Sequence, residues 1–192
     1  MINNKIKEYL ENLSKENPTQ VIRKLGEGER VSKSQGLKYI IDNSEIYKQL
    51  GNYPEGAILY NPVHNHFRNC RKEIMDLFRY SNEIPFSRAY DNQVGECLEK
   101  AILLHLSAQA NEEAFLIIGN LSKDNDYTEF HAYNIIFKSE KPYLIDTENP
   151  LAKDSNGKIV RPYVAPILEI KENDGHFVVP EIWRQERTYS IF

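Results

Sequence analysis

The stretch Gly95–Ala110, GECLEKAILLHLSAQA, is apolar on nearly every side of a helical wheel. A helix of that kind sits inside a core rather than on a surface. Asp91 or Asn92 is placed to cap it, so the spacing predicts a start near Gly95 and an end near Ala110. Beyond it the apolar period changes to two. Ala114–Gly119 (AFLIIG), His131–Phe137 (HAYNIIF) and Pro142–Asp146 (PYLID) are short runs rich in β-branched and aromatic residues, as strands are. Tyr163–Ile170 (YVAPILEI) and His176–Pro180 (HFVVP) continue the β region, and Asp154–Gly157 (DSNG) is a turn between strands. Helices first and consecutive strands afterwards predict an α+β fold, with the central helix packed on a mainly antiparallel sheet.

Upstream, residues 1–80 read as a mainly helical N-terminal part. Ile6, Tyr9, Leu10 and Leu13 fall at helical spacing until Asn17-Pro18 stops the pattern. Leu37, Ile40, Ile41, Ile46 and Leu50 predict further helix ending at Gly51. Gly56–Tyr60 (GAILY) is a short strand candidate, and His66–Tyr80 another helix. There is no internal repeat, and 192 residues suit one domain with its own core. Residues 1–192 are therefore expected to form a single domain, with the helix and sheet in 85–192.

The net charge is −4, which disfavours nucleic acid as the main partner because such binding needs a basic footprint. The two cysteines, Cys70 and Cys97, are too few for a disulfide scaffold and predict free thiols in a reducing compartment. MINNKIKEYLENLSKEN is polar and charged, unlike a secretory leader, and no run approaches a membrane span. A cytoplasmic protein is expected; an effector delivered into a host cytosol would share these features.

Cys97 falls in the first turn of the central helix, where unpaired backbone N–H groups favour an anion. Cys70 falls in the middle of its predicted helix and lacks that help. A thiol nucleophile needs a base, and the base needs an orienting acceptor. His105 lies eight residues along the helix from Cys97, about 12 Å by the helical rise, too far for proton transfer. His131 opens one strand and Asp146 closes the next. A two-residue loop at Ser139-Glu140 pairs Lys138 with Lys141, Ile135 with Leu144 and Tyr133 with Asp146. His131 and Asp146 then share a face as diagonal neighbours, within reach of each other. A shift of one residue would send them to opposite faces.

Other residues admit simpler assignments. His64, His66 and Cys70 spell H-x-H-x3-C, a partial metal-ligand pattern without a fourth ligand at recognisable spacing. His66 and Cys70 also stand one helical turn apart. His176 beside Gly175 reads as a turn residue and Trp183 as a core or cleft aromatic. Glu96 and Glu99 read as solvated first-turn residues that suit the helix dipole.

Taken together, Gly95-Glu96-Cys97-Leu98-Glu99-Lys100-Ala101, Ala114–Gly119, His131–Ile136 and Tyr143-Leu144-Ile145-Asp146-Thr147 resemble the transglutaminase-like core of the papain-like cysteine enzymes. They match its G-x-C helix start, following strand, histidine strand and aspartate strand in order, over about residues 85–152. Leu98 replaces the aromatic residue of protein-crosslinking members, and Asp146-Thr147-Glu148 stands for their Asp-Pro-Thr. The resemblance implies a papain-like fold with Cys97 as nucleophile, His131 as general base and Asp146 as its orienting acid. It implies acyl transfer or hydrolysis at an amide or peptide carbonyl, with a protein or peptide substrate and neither metal nor organic cofactor. The Cys97 backbone N–H would be one oxyanion donor. Gln93 is a candidate for the second, since papain-like enzymes use an upstream glutamine, and Tyr90 competes with it. Gly95–Glu99 and Tyr143–Asp146 are also similar to the arylamine N-acetyltransferases, which would imply acyl-CoA transfer. A member of the fold that binds protein without turnover is the non-enzymatic alternative.

Overall fold

The computed structural model describes residues 2–34, 36–49, 63, 65–109, 112–123, 127–161, 163–184 and 187–192. In chain order the elements are α1 (Ile2–Glu16), β1 (Val21–Ile22), β2 (Arg30–Ser34), β3 (Leu37–Ile40), α2 (Ser44–Gln49), α3 (Arg71–Leu77), β4 (Glu83–Pro85), α4 (Phe86–Asp91) and α5 (Cys97–Ala108). They continue as β5 (Glu113–Lys123), β6 (Tyr127–Lys138), β7 (Lys141–Asp146), β8 (Ala152–Lys153), β9 (Ile159–Arg161), β10 (Tyr163–Pro166), β11 (Glu169–Lys171), β12 (His176–Val178), α6 (Glu181–Arg184) and β13 (Arg187–Ser190). The architecture is α+β with an antiparallel main sheet, as the order of periods predicts.

That sheet runs β10-β7-β6-β5-β13-β12-β11, with β1 also paired to β5. Side chains alternate across it. Ala114, Leu116, Ile118, Ala132, Ile136 and Ile145 join the α5 core on one face. Phe115, Ile117, Tyr133, Ile135 and Leu144 join Ile6, Leu10 and Leu13 of α1 on the other. Both faces are covered, which is why AFLIIG is continuously apolar rather than alternating. Residues Leu98–Ala108 of α5 are all buried, as its all-round apolar surface requires. No helix among the described residues is long and apolar enough to cross a membrane.

The β6–β7 hairpin has the predicted register: Lys138 pairs with Lys141 and Ile135 with Leu144. Ser139 and Glu140 both take positive φ, the geometry of a two-residue turn that matches strand twist. At its far end Asp146 lies opposite Tyr163 of β10. The DSNG turn also forms between β8 and β9, with Gly157 at φ 78° and the Asp154 carboxylate accepting from the Asn156 and Lys158 N–H groups.

The N-terminal half departs from expectation. Arg30–Ser34 and Leu37–Ile40 pair as the antiparallel strands β2 and β3, and β4 adds in parallel, where helix was expected. Leu37, Ile40 and Ile41 imitate a helical stripe, but the buried residues there are Val31, Tyr39 and Ile41. Gly36 at φ 76° turns the hairpin. His66–Tyr80 is not one helix: α3 begins only at Arg71, and Cys70 is its N-cap residue rather than mid-helix. The GAILY strand and His64 lie outside the described residues.

The cap of α5 also differs. Asp91 ends α4 and Asn92 follows as its C-cap. The chain then turns at Gln93, whose φ is 55°, and Val94 bridges to Arg68. Glu96 is the N-cap, and its N–H donates to Glu99 Oε2 at 2.9 Å. Gly95 is obligatory in this approach: a Cβ there would lie 2.7 Å from Glu99 Cβ and 2.8 Å from the Phe67 ring.

Gly119 sits opposite His131 in the β5–β6 ladder, and a Cβ at Gly119 would lie 2.2 Å from the Ser190 carbonyl oxygen. Bare backbone at this point lets β13 close on β5. Gly119→Ala is expected to push β13 away and to destabilise by about 1–3 kcal/mol, the usual cost of overpacking. Urea unfolding of the variant checks this.

Candidate functional site

Two structural elements converge at the tip of α5. Cys97 occupies its first helical position and is half-buried. His131, on β6, and Asp146, at the end of β7, are both buried. His131 Nε2 lies 2.9 Å from Asp146 Oδ2. The Cys97 sulfur acts on the same ring by hydrogen bonding and charge. Nε2 is committed to Asp146, so Nδ1 is the nitrogen left for the sulfur.

The Asp146 carboxylate is divided between two tasks. Oδ1 accepts the backbone N–H groups of Glu148 (2.9 Å) and Asn149 (3.0 Å), closing a turn at the end of β7. Oδ2 takes His131, the Tyr189 hydroxyl at 2.7 Å and Asn149 Nδ2 at 3.2 Å. Lys123 Nζ donates to Asn149 Oδ1 at 3.0 Å, which orients the amide so that its NH₂ faces Asp146. Arg187 Nη1 holds the Asn149 carbonyl at 2.7 Å and lies over the Tyr163 ring. β13 therefore fixes the acid turn twice, through Tyr189 and through Arg187.

Burial alone would lower the His131 pKa, but the Asp146 charge and hydrogen bond, with help from Cys97, outweigh it and raise it to about 10. Burial likewise opposes charge on Asp146, yet His131, Tyr189 and the Asn149 N–H hold it well below the usual carboxylate range. The pair is thus imidazolium and carboxylate at neutral pH.

A second cluster braces the helix tip from below. Glu99 is fully buried, not solvated as its first-turn position predicts. Its Oε1 accepts the Tyr39 hydroxyl at 2.7 Å, and Lys33 Nζ lies 2.8 Å from that oxygen and 3.0 Å from Oε2. Lys33 also reaches Glu96 Oε2 at 3.3 Å and feels the Cys97 charge. Burial opposes the Lys33 charge, but Glu99 outweighs it and raises the ammonium pKa. The β2–β3 hairpin thereby neutralises a buried carboxylate directly beneath Cys97.

The two oxyanion candidates are placed differently. Gln93 has an exposed side chain on the loop before α5. The Tyr90 ring stacks on His66 with centroids 4.0 Å apart and packs edge-on against Tyr47. His66 Nε2 lies 2.8 Å from the Tyr90 carbonyl oxygen, and Cys70 hydrogen bonds to Glu73 at the start of α3, so His66 and Cys70 are engaged separately.

No protein-family model, curated protein or solved structure matches the chain. Tyr189, Asn149, Lys33 and Glu99 are the members of the site that residue patterns missed. Only the Asn149 position carried a signal, three residues past a strand-ending Asp, where turn formers cluster.

His105 stands apart from this site. It is fully buried on α5, and neither ring nitrogen has a hydrogen-bond partner among the described residues. Burial pushes its pKa down to about 3. A pKa below the unfolded value of about 6.5 gives stability that is complete above pH 6.5 and declines as pH falls toward 3. His131 has the opposite sign: its contribution is complete below pH 6.5 and disappears as pH rises through about 10. His105→Leu is expected to stabilise by about 1–3 kcal/mol by removing an unsatisfied buried group. The gain should grow between pH 7 and pH 4, while both proteins weaken together toward pH 10. Urea midpoints across that range check it.

Proposed function

We propose that the chain is a cysteine-nucleophile enzyme with a papain-like, transglutaminase-like core, acting on an amide or peptide carbonyl through a thioester. The observation that carries the reading is the line of contacts from the Asp146 carboxylate through the His131 ring to a sulfur at a helix N-terminus.

An imidazolium and a helix N-terminus both favour negative charge on a neighbouring sulfur. Cys97 Sγ attacks the carbonyl carbon and the carbonyl oxygen becomes an oxyanion. The Cys97 N–H belongs to the first turn, whose N–H groups have no partner within the helix, and it can donate to that oxygen. As the tetrahedral adduct collapses, the C–N bond breaks and the His131 Nδ1 proton moves to the leaving amine. A thioester and a neutral imidazole remain. Water or an amine then attacks the thioester carbon, His131 accepts the proton, and the C–S bond breaks to return the thiolate. Asp146 keeps the ring in one orientation throughout and stabilises its charged form.

Intact-mass spectrometry of the chain incubated with peptide amides, peptide esters and acyl-CoA tests this. The expected result is an acyl adduct with amide or ester donors that is missing from Cys97→Ala. An adduct only with acyl-CoA would make the chain an acyl-CoA transferase instead. Absence of any adduct, with reversible peptide binding retained, would make it a non-catalytic binder.

A further inference from the structure

Beside the α5 tip lies an open cleft of about 470 Å³, in the size range of ligand sites. Its lining includes Arg68, Asn69, Lys100, Glu148, Lys153 and Lys158. Lys100 is one helical turn beyond Cys97 on the same side of α5. The Glu148 N–H is one of the donors that hold Asp146 Oδ1. The floor of the cleft is thus joined to the candidate triad from both sides. A larger depression of about 770 Å³, lined by Arg23, Lys48, Gln109 and Glu113, lies at the opposite end of α5.

The charge of the cleft opposes that of the protein. Among the described residues, four cationic side chains line it against the single carboxylate of Glu148, in a chain whose net charge is −4. Arg68 pairs with Glu73, and Lys100 with Glu148. Lys153 and Lys158 flank the DSNG turn and are exposed; the Asp154 carboxylate of that turn accepts the Lys158 N–H, and neither ammonium forms an ion pair among the described residues. Glu148 itself shows what the floor accepts: one carboxylate oxygen takes Asn69 Nδ2 at 2.7 Å and the other takes Lys100. Lys153 and Lys158 line the same cleft as this seated carboxylate. A concave patch lined by cations concentrates the attraction for such a ligand.

We infer that this cleft receives an acidic segment of a polypeptide substrate, with its Asp and Glu side chains toward Lys153 and Lys158 and its reacting carbonyl toward Cys97. The inference deepens the enzyme proposed above and rests on it for the position of the reacting carbonyl.

The test uses the 192-residue Cys97→Ala chain and fluorescein-labelled peptides with one central Gln and flanks of Asp/Glu, Ser or Lys, read by anisotropy. The acidic peptide is expected to bind at least about tenfold tighter than the Ser peptide at low salt. That preference should collapse in 0.5 M NaCl and in Lys153→Glu/Lys158→Glu, with Lys153→Gln/Lys158→Gln in between. Equal binding of acidic and neutral peptides, or a preference that survives the double reversal, would overturn the assignment. So would displacement of the acidic peptide by coenzyme A at lower concentration than by unlabelled peptide, since the cleft would then be a phosphate site. Binding by a chain without the sulfur is independent of turnover. Loss of the acidic preference leaves the Cys97 chemistry standing, whereas an unreactive wild-type Cys97 with the preference intact overturns the chemistry and leaves the cleft.

Discussion

Cys97→Ser is expected to lower turnover by roughly 10⁴-fold or more while leaving the fold in place. The reason lies in His131. With its pKa raised to about 10 by Asp146, the ring already holds its proton at neutral pH and is a poor base for a hydroxyl. A serine must lose its proton during attack, whereas a sulfur can be ionised beforehand and use the same protonated ring as an acid. Cys97 is half-buried at the edge of the α5 core, so the exchange of SH for OH should change stability by about 0.5 kcal/mol or less. Steady-state rates with the best donor from the mass-trapping panel, together with a thermal melt, separate the two effects. A serine variant with rates near wild type would remove Cys97 from the chemistry.

Asp146→Asn is expected to cost about 10³–10⁴-fold in turnover with a much smaller loss of stability. The amide oxygen can still accept the Glu148 and Asn149 N–H groups, so the turn survives. The amide NH₂, however, replaces Oδ2 against His131 Nε2. That nitrogen must then act as acceptor, which holds the ring as the neutral Nδ1–H tautomer and removes the imidazolium that favours a charged sulfur. The Tyr189 hydroxyl has to turn away from a donor as well. The variant should also lose the alkaline fall in stability assigned to His131, because the buried carboxylate that raises its pKa is gone. Asp146→Ala should be worse in stability, since it leaves the turn N–H groups and the Tyr189 hydroxyl unpaired. A D146N protein that keeps both its rate and its alkaline transition would contradict the role given to the carboxylate.

The parts of the site legible in the sequence are those set by local periodicity. The apolar helix behind Cys97, the strands at His131 and Asp146, and the parity that puts those two side chains together follow from spacing over about 50 residues. The Ser139-Glu140 turn was legible from strand length even though neither residue is a typical positive-φ turn former. The missing parts come from distant segments. Tyr189 reaches Asp146 because β13 returns beside β5 at Gly119, a pairing across some 70 residues that no local pattern encodes. Lys33 and Tyr39 reach Glu99 from a hairpin whose Leu37, Ile40 and Ile41 imitate a helix. Glu99 itself looks like a surface residue because its burial depends on Lys33 arriving from outside the helix. The Glu96 cap was missed because α4 consumes Asp91, leaving a five-residue descent to the cap.

The central claim is that the Cys97 sulfur is activated by a His131 ring fixed on Asp146. The most direct measurement is the rate of iodoacetamide labelling of Cys97 and Cys70 in the same molecule, site-resolved by peptide mass spectrometry at pH 6. An ordinary thiol, with a pKa of about 8.5, is almost wholly protonated there. Cys97 is expected to react at least about tenfold faster than Cys70, with the advantage lost in His131→Ala. Equal labelling of the two cysteines, or a fast Cys97 that ignores removal of the imidazole, would contradict the claim.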